Sequence, residues 1–145
     1  MKLYWAAPLF NDVERSYNKE KVDFLREKGF EVFLPQEHGI LAPQPTYQIC
    51  RCTYDEDIHA IEGCNILIAS FMGESLDPGT VFEVGYARAL GKNVIIVTEY
   101  DDRWTRATLN NMFLECVVVT NILEVTYAIT AIEGRQPSLF TDINP

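Results

Sequence analysis

Between Asn65 and Thr98 the chain reads as a strand, a loop, a helix and a second strand, and that order calls for parallel pairing. Asn65 to Ala69 is short and apolar, and Asn93 to Thr98 is rich in Val and Ile, as a strand buried on both faces should be. Two such strands joined through a helix require a crossover, the connection from which parallel sheets are built. The helix marks its own start. Asp77 is a good N-cap, and Pro78 suits the first helical position, where its missing N–H would be unpaired anyway. The helical pattern runs from Pro78 to Leu90 and stops near Gly91. A helix placed this way begins beyond the C-terminal end of a strand, the edge of an open parallel sheet where ligands bind. Glu83 falls on its second turn, flanking Tyr86, Ala87 and Leu90, and an acid held there is either paired or put to use.

The same alternation extends along the chain. Lys2 to Ala6 is a first strand, broken by Pro8. Asp12 to Lys28 is helical, with an imperfect apolar stripe of Val13, Tyr17, Phe24 and Leu25, and Gly29 stops it. Phe30 to Leu34 is a second strand closed by Pro35. Gln36 to Thr46, with Gly39, Pro43 and Pro45, is a loop long enough to face a ligand. A helix runs from Thr53 to Gly63 with Tyr54, Ile58 and Ile61 on one face. Tyr100 to Thr108 is a polar connection, Leu109 to Leu114 a short helix, Cys116 to Thr120 a fifth strand, and Ile122 to Glu133 a last helix before an irregular tail. Strands alternating with helices predict a single α/β domain over residues 1–145: a five-stranded, mostly parallel sheet with helices on both faces, in a flavodoxin-like arrangement. The length is enough for a real core.

Bulk composition narrows the partners. A net charge of -9 argues against a nucleic-acid polymer, which needs basic surface. No apolar run approaches the ~18 residues of a membrane span, and the N-terminus enters a strand at once rather than a signal peptide, so the expected location is the cytoplasm and no membrane partner is expected. Cys50 and Cys52 form an isolated C-x-C pair, and Cys64 and Cys116 border strand-like runs as small core residues, so neither a metal site nor a disulfide is expected.

Other uses of this architecture fit badly. A dinucleotide fold wants G-x-G-x-x-G after strand one, where the chain has Ala6-Ala7-Pro8-Leu9-Phe10-Asn11. A Walker A loop is absent. A phosphate-accepting signalling domain needs an Asp at the end of strand three, where Ile68-Ala69-Ser70-Phe71 stands. No loop is rich enough in Gly, Ser or Thr to cradle a flavin phosphate, and no cofactor is expected.

Several side chains carry two readings at once. Asp57 borders the buried face of its helix, three residues after Tyr54 and four before Ile61, and is either a solvated flank residue or a second working acid. Asp77 is accounted for as a cap. Glu83 is either functional or a structural partner of Arg88 or Lys92. Tyr4 on strand one reads as a core aromatic, and Phe10 as a loop plug or a pocket wall. Asn110 and Asn111, before Met112, read as cap or turn residues. His38 and His59 show no partner pattern.

Taken together, the residues resemble the nucleoside 2-deoxyribosyltransferase family, from Leu3 to about Val118. The blocks are Tyr4-Trp5-Ala6-Ala7-Pro8-Leu9-Phe10, Asp57 within Asp55-Glu56-Asp57-Ile58, the run from Asp77 through Glu83 to Ala87, and Asn110-Asn111-Met112. The third is the most specific, with an Asp six residues before the Glu. The resemblance implies that Glu83 is a nucleophile attacking the anomeric carbon of a 2'-deoxynucleoside, and that Asp57 is the acid and base at the nucleobase. It implies that Tyr4 holds the nucleophile, Asp77 binds a sugar hydroxyl within a substrate site that includes Gly79, and Phe10 and Met112 line the pocket. Gln36 would touch the base. Asn110 would reach the sugar's 5' end from a neighbouring subunit, which implies a dimer-based homo-oligomer such as a hexamer. The substrates would be 2'-deoxynucleosides and free nucleobases, with no cofactor.

The chain's last residues, Leu139 to Pro145, give no aromatic terminus to carry over from the family, and no residue decides between purine-only and broader base preference. The nearest rival is an N-hydrolase of 2'-deoxynucleoside 5'-monophosphates. It needs a 5'-phosphate cradle where this first loop offers Pro8, Leu9 and Phe10. A non-catalytic nucleotide-binding module would keep a pocket but have no need of both acids.

Overall fold

A computed structural model describes residues 1–39, 43–71, 76–98 and 111–134. Five parallel strands form one sheet in the order β2-β1-β3-β4-β5. They are β1 (Lys2–Ala6), β2 (Glu31–Phe33), β3 (Ile66–Phe71), β4 (Asn93–Thr98) and β5 (Val117–Val119). The helices are α1 (Asp12–Glu27), α2 (Tyr47–Gly63), α3 (Pro78–Ala89) and α4 (Ile122–Glu133). This is the flavodoxin-like α/β arrangement predicted, with every described pairing parallel.

The two-residue period of the strands sorts the core. Leu3, Trp5, Ile66, Ile68, Ile95, Val97 and Val119 face one way and bury Val22 and Leu25 of α1 with Val125 and Ile129 of α4. Tyr4, Ala6, Leu67, Ala69, Phe71, Val94 and Ile96 face the other way, against Ile61 and Cys64 at the end of α2 and Val84 and Ala87 of α3. The chain turns from β1 outward to β2 and later returns to β3 on the far side of β1. The β1–β3 boundary is therefore the switch point at which an open α/β sheet offers a crevice.

Local chemistry fixes the helix ends. Asn11, Thr46, Asp77 and Asn121 each accept a hydrogen bond from a backbone N–H in the first turn of α1, α2, α3 and α4. Gly29 and Gly91 follow α1 and α3 at φ of +91° and +73°, a left-handed conformation that favours glycine.

Three expectations need correction. The α2 helix begins at Tyr47, six residues before the predicted Thr53, because Thr46 caps a first stretch that stays largely on the surface and shows no apolar stripe. In α1, Val13 is exposed, while Asn18 takes a place in the buried row beside Val22 and Leu25. Of the predicted helix from Leu109 to Leu114, the described part begins at Asn111 and forms a single 3-10 turn over Asn111–Phe113. The polar connection from Tyr100 to Thr108, Asn110, and the tail after Gly134 lie outside the described residues. Among the described residues no helix is long and apolar enough to cross a membrane.

Candidate active site

Three elements converge beneath the switch point. Strand β1 supplies Tyr4, which is fully buried on the α2/α3 face of the sheet. Helix α3 supplies Glu83, whose Oε2 is buried without a hydrogen-bond partner among the described residues. The Tyr4 hydroxyl is buried and unpartnered in the same way. Helix α2 supplies Asp57, half-buried one turn after Thr53.

The electrostatics tie these groups together. Burial, then the charges of Asp57 and Asp77, push Glu83 up to about 8, while the Tyr4 hydroxyl pulls the other way. Burial, assisted by the charge of Glu56, pushes Asp57 up to about 6. Tyr4 is held well above its ordinary range, first by burial and then by Glu83 and Asp57, so it stays protonated and serves only as a neutral donor or acceptor. Both acids are thereby biased toward their protonated forms.

The bland role open to Glu83, an ion pair with Arg88 or Lys92, is not what these cations do. Arg88 donates to the Lys92 carbonyl at 2.9 Å. The Lys92 ammonium donates to the carbonyls of Glu62 and Cys64, both at 2.8 Å, at the end of α2. That is a helix C-terminus satisfied by a cation.

Asp77 performs its capping role, Oδ2 accepting from the Thr80 N–H at 2.7 Å and the Thr80 hydroxyl at 2.8 Å. A Cβ at Gly79 would stand 3.1 Å from that oxygen, so the glycine leaves the carboxylate uncrowded. Phe10 is 74% exposed on the first loop, and Met112 is 81% exposed after β4. Asn110 lies outside the described residues.

Gln36 sits in a network that sequence periodicity does not reveal. Its Nε2 donates to the Arg15 carbonyl at 2.9 Å, and its Oε1 accepts from Asn18 Nδ2 at 3.1 Å. Asn18, 2% exposed, also donates to the Pro8 carbonyl at 2.9 Å and accepts from Trp5 Nε1 at 3.1 Å. Every polar edge of the buried Asn18 amide is thereby used, as burial demands. The network fastens the first loop and the turn after β2 to α1. Phe33, on the strand neighbouring Tyr4, is a further wall the sequence reading passed over. Its ring stacks on Tyr4 with centroids 5.5 Å apart and an interplanar angle of 11°. The signal that finds it is strand register, since Tyr4 pairs with Phe33 and both point to the same face.

A carboxylate that is costly to ionise, a neutral phenol beside it and a second acid of raised proton affinity suit nucleophilic displacement with proton transfer to a leaving group. Among solved structures, the chain is similar to a 2-deoxyribosyltransferase from the psychrotolerant bacterium Bacillus psychrosaccharolyticus, at TM-score 0.74 and 22% identity over 86% of this chain and 90% of that one. It is similar to a 2-deoxyribosyltransferase from Leishmania mexicana, at TM-score 0.69 and 19% identity over 92% and 99%. A CMP N-glycosidase from Clostridium botulinum shares the fold at TM-score 0.56 and 21% identity over 91% and 99%. No curated protein sequence matches the chain. The family model described as nucleoside 2-deoxyribosyltransferase matches residues 3–121, and the chain belongs to that family.

Proposed function

We propose that this protein transfers a 2-deoxyribosyl group between nucleobases by double displacement, with Glu83 as nucleophile and Asp57 as acid and base. The observation that carries this reading is the buried, unpartnered Glu83 Oε2 electrostatically coupled to Asp57. A Glu83 carboxylate oxygen attacks C1' of a 2'-deoxynucleoside. The C1'–N bond breaks, its electrons pass to the base nitrogen, and Asp57 supplies a proton to the departing base. A second base then attacks C1' from the vacated side, Glu83 leaves as a carboxylate, and the proton of the incoming base returns to Asp57. Two inversions give net retention, as in a retaining glycosidase with a base in place of water. A 2'-deoxy sugar suits the chemistry, because it lacks the electron-withdrawing hydroxyl that disfavours positive charge at C1'.

The reaction starts with Glu83 ionised and Asp57 protonated, and the raised proton affinity of Asp57 favours the second of these. Positive charge developing at C1' in the transition state is stabilised by the Glu83 carboxylate, so the ionised form is the one that reacts. Tyr4 steadies the nucleophile as a neutral donor. Asp77, with Gly79 leaving it room, meets a sugar hydroxyl, and Phe10 and Met112 close over the substrate. Asn110 reaches the 5' end from a neighbouring subunit in a dimer-based assembly.

The similarity to a CMP N-glycosidase gives a second reading, in which water intercepts the glycosyl intermediate of a nucleoside monophosphate. The first loop weighs against it. Arg15, beside that loop, donates to the Leu9 carbonyl at 2.9 Å and pairs with Asp12. Chromatography of the protein with thymidine and adenine, with deoxyinosine and adenine, and with dTMP or CMP alone separates the two. New deoxyadenosine supports transfer, and free base from the monophosphates alone replaces it with hydrolysis. Intact-mass analysis after reaction with a 2'-fluoro-2'-deoxynucleoside should find a sugar adduct that Glu83→Ala abolishes.

A further inference from the structure

We propose that His38 forms a wall of the nucleobase pocket and sets the protein's affinity for the base. The proposal rests on the transferase reading above and gives its base site a residue the sequence reading left without a role. The turn after β2, Pro35–Glu37, is held from several sides. Gln36 is turned inward, both ends of its amide engaged with α1. Glu37 is clamped by Arg26 in a two-pronged pair, Nη1 to Oε1 at 3.0 Å and Nη2 to Oε2 at 2.7 Å. His38 follows with its ring flat against Phe33, centroids 4.2 Å apart and planes 9° from parallel.

Phe33 is in turn stacked on Tyr4, so three nearly parallel rings run from the phenol beside the nucleophile to an exposed imidazole. The far end of this row lies against the acid-bearing helix. His38 Nδ1 is 3.7 Å from Glu56 Oε1, and Gly39 lies beside Thr53. Thr53 is three residues before Glu56 and four before Asp57, so it neighbours both on the surface of α2. His38 is therefore packed on the flank of α2 that adjoins the base-site acid. A base poised to exchange a proton with Asp57 meets a flat, partly desolvated ring held by a fixed turn. Such a surface binds purines and pyrimidines by their faces.

The test uses the full chain, deoxyinosine as donor and adenine as acceptor, comparing wild type, His38→Ala and His38→Phe. Stacking on one side chain is worth about 1–3 kcal/mol, or about fivefold to 150-fold. His38→Ala should raise KM for adenine about tenfold at little-changed kcat, and His38→Phe, which keeps the flat ring, should restore most of it. A residue that merely stabilised the fold would lower Tm and leave that KM where it was. Phe failing like Ala would assign the contact to the ring nitrogens and keep His38 in the pocket. An unchanged KM in both variants overturns the proposal. Calorimetric titration of adenine into wild type and His38→Ala separates the two levels. Binding that depends on His38 in a protein that exchanges nothing removes the transferase reading alone. Exchange indifferent to His38 removes only the present proposal.

Discussion

The Tyr4 hydroxyl and Glu83 Oε2 face one buried space from opposite layers of the domain, each influencing the other's proton, yet neither completes a hydrogen bond among the described residues. Folding leaves this pair unsatisfied at a cost, since a buried polar atom without a partner destabilises a protein by about 1–3 kcal/mol. Sites that bind and react are where such a cost is retained.

Tyr4→Phe should therefore separate activity from stability. The Tyr4 hydroxyl makes no well-formed hydrogen bond, so its removal changes the unfolding free energy little. Losing a donor to the ionised nucleophile, worth about 1.5–3 kcal/mol, lowers kcat about tenfold to a hundredfold. Denaturant titration and steady-state kinetics on the same variant check both halves. A variant that is unstable and fully active would contradict the assignment.

Stability itself should depend on pH through Glu83. Its carboxyl binds protons more tightly folded than unfolded, from its ordinary 4.5 up to about 8. Within that interval the native state carries the extra proton, so stability falls as pH rises. Below it both states are neutral and the contribution is constant. Glu83→Gln carries no charge and escapes the fall. It should melt well above wild type at about pH 9 and close to it at about pH 4, as thermal scans at the two values can decide.

Asp57→Asn should act on two steps. Loss of the proton donor slows base departure by about a hundredfold to ten-thousandfold. Loss of the negative charge also eases ionisation of Glu83, because Asp57 is among the causes of its raised value. The rate of labelling by a 2'-fluoro-2'-deoxynucleoside should reach its plateau at lower pH than in wild type. A limb that does not move would show that the two acids do not sense each other.

Asn18→Leu fills the same volume and leaves Trp5 Nε1, the Pro8 carbonyl and Gln36 Oε1 without their partner. At about 1 kcal/mol or more for each stranded group, the loss is about 3 kcal/mol, visible in urea unfolding. Asn18→Asp keeps the acceptor for Trp5 but removes both donors. It should release the first loop and raise KM through Phe10, with a smaller change in kcat.

Much of this fold is legible in the chain because buried strands and capped helices leave local marks. The predicted bounds of β1, β4 and α4 match the structure, and Asp77-Pro78 announces α3. The start of α2 is hidden because its first stretch faces solvent and has no apolar period to read. Glu83 stands out by its position on a helix flank, whereas Asp57 reads equally as a solvated flank residue until the family resemblance marks it. What joins them to Tyr4, and what occupies Gln36, depends on contacts between residues far apart in sequence, such as Asn18 with Gln36, which no window of neighbours contains. The ring row ending at His38 is hidden for the same reason: Phe33 meets Tyr4 only once β2 has paired with β1.

The stitching of α2 to α3 has a consequence for how the family can diversify. Tyr86 Oη donates to Glu62 Oε1 at 2.7 Å, one turn along α3 from Glu83, and Lys92 closes the end of α2 nearby. The gap between the two acids is thereby gauged by a bolted pair of helices, at the end remote from the reacting atoms. Loops above the crevice can therefore change without resetting that gauge.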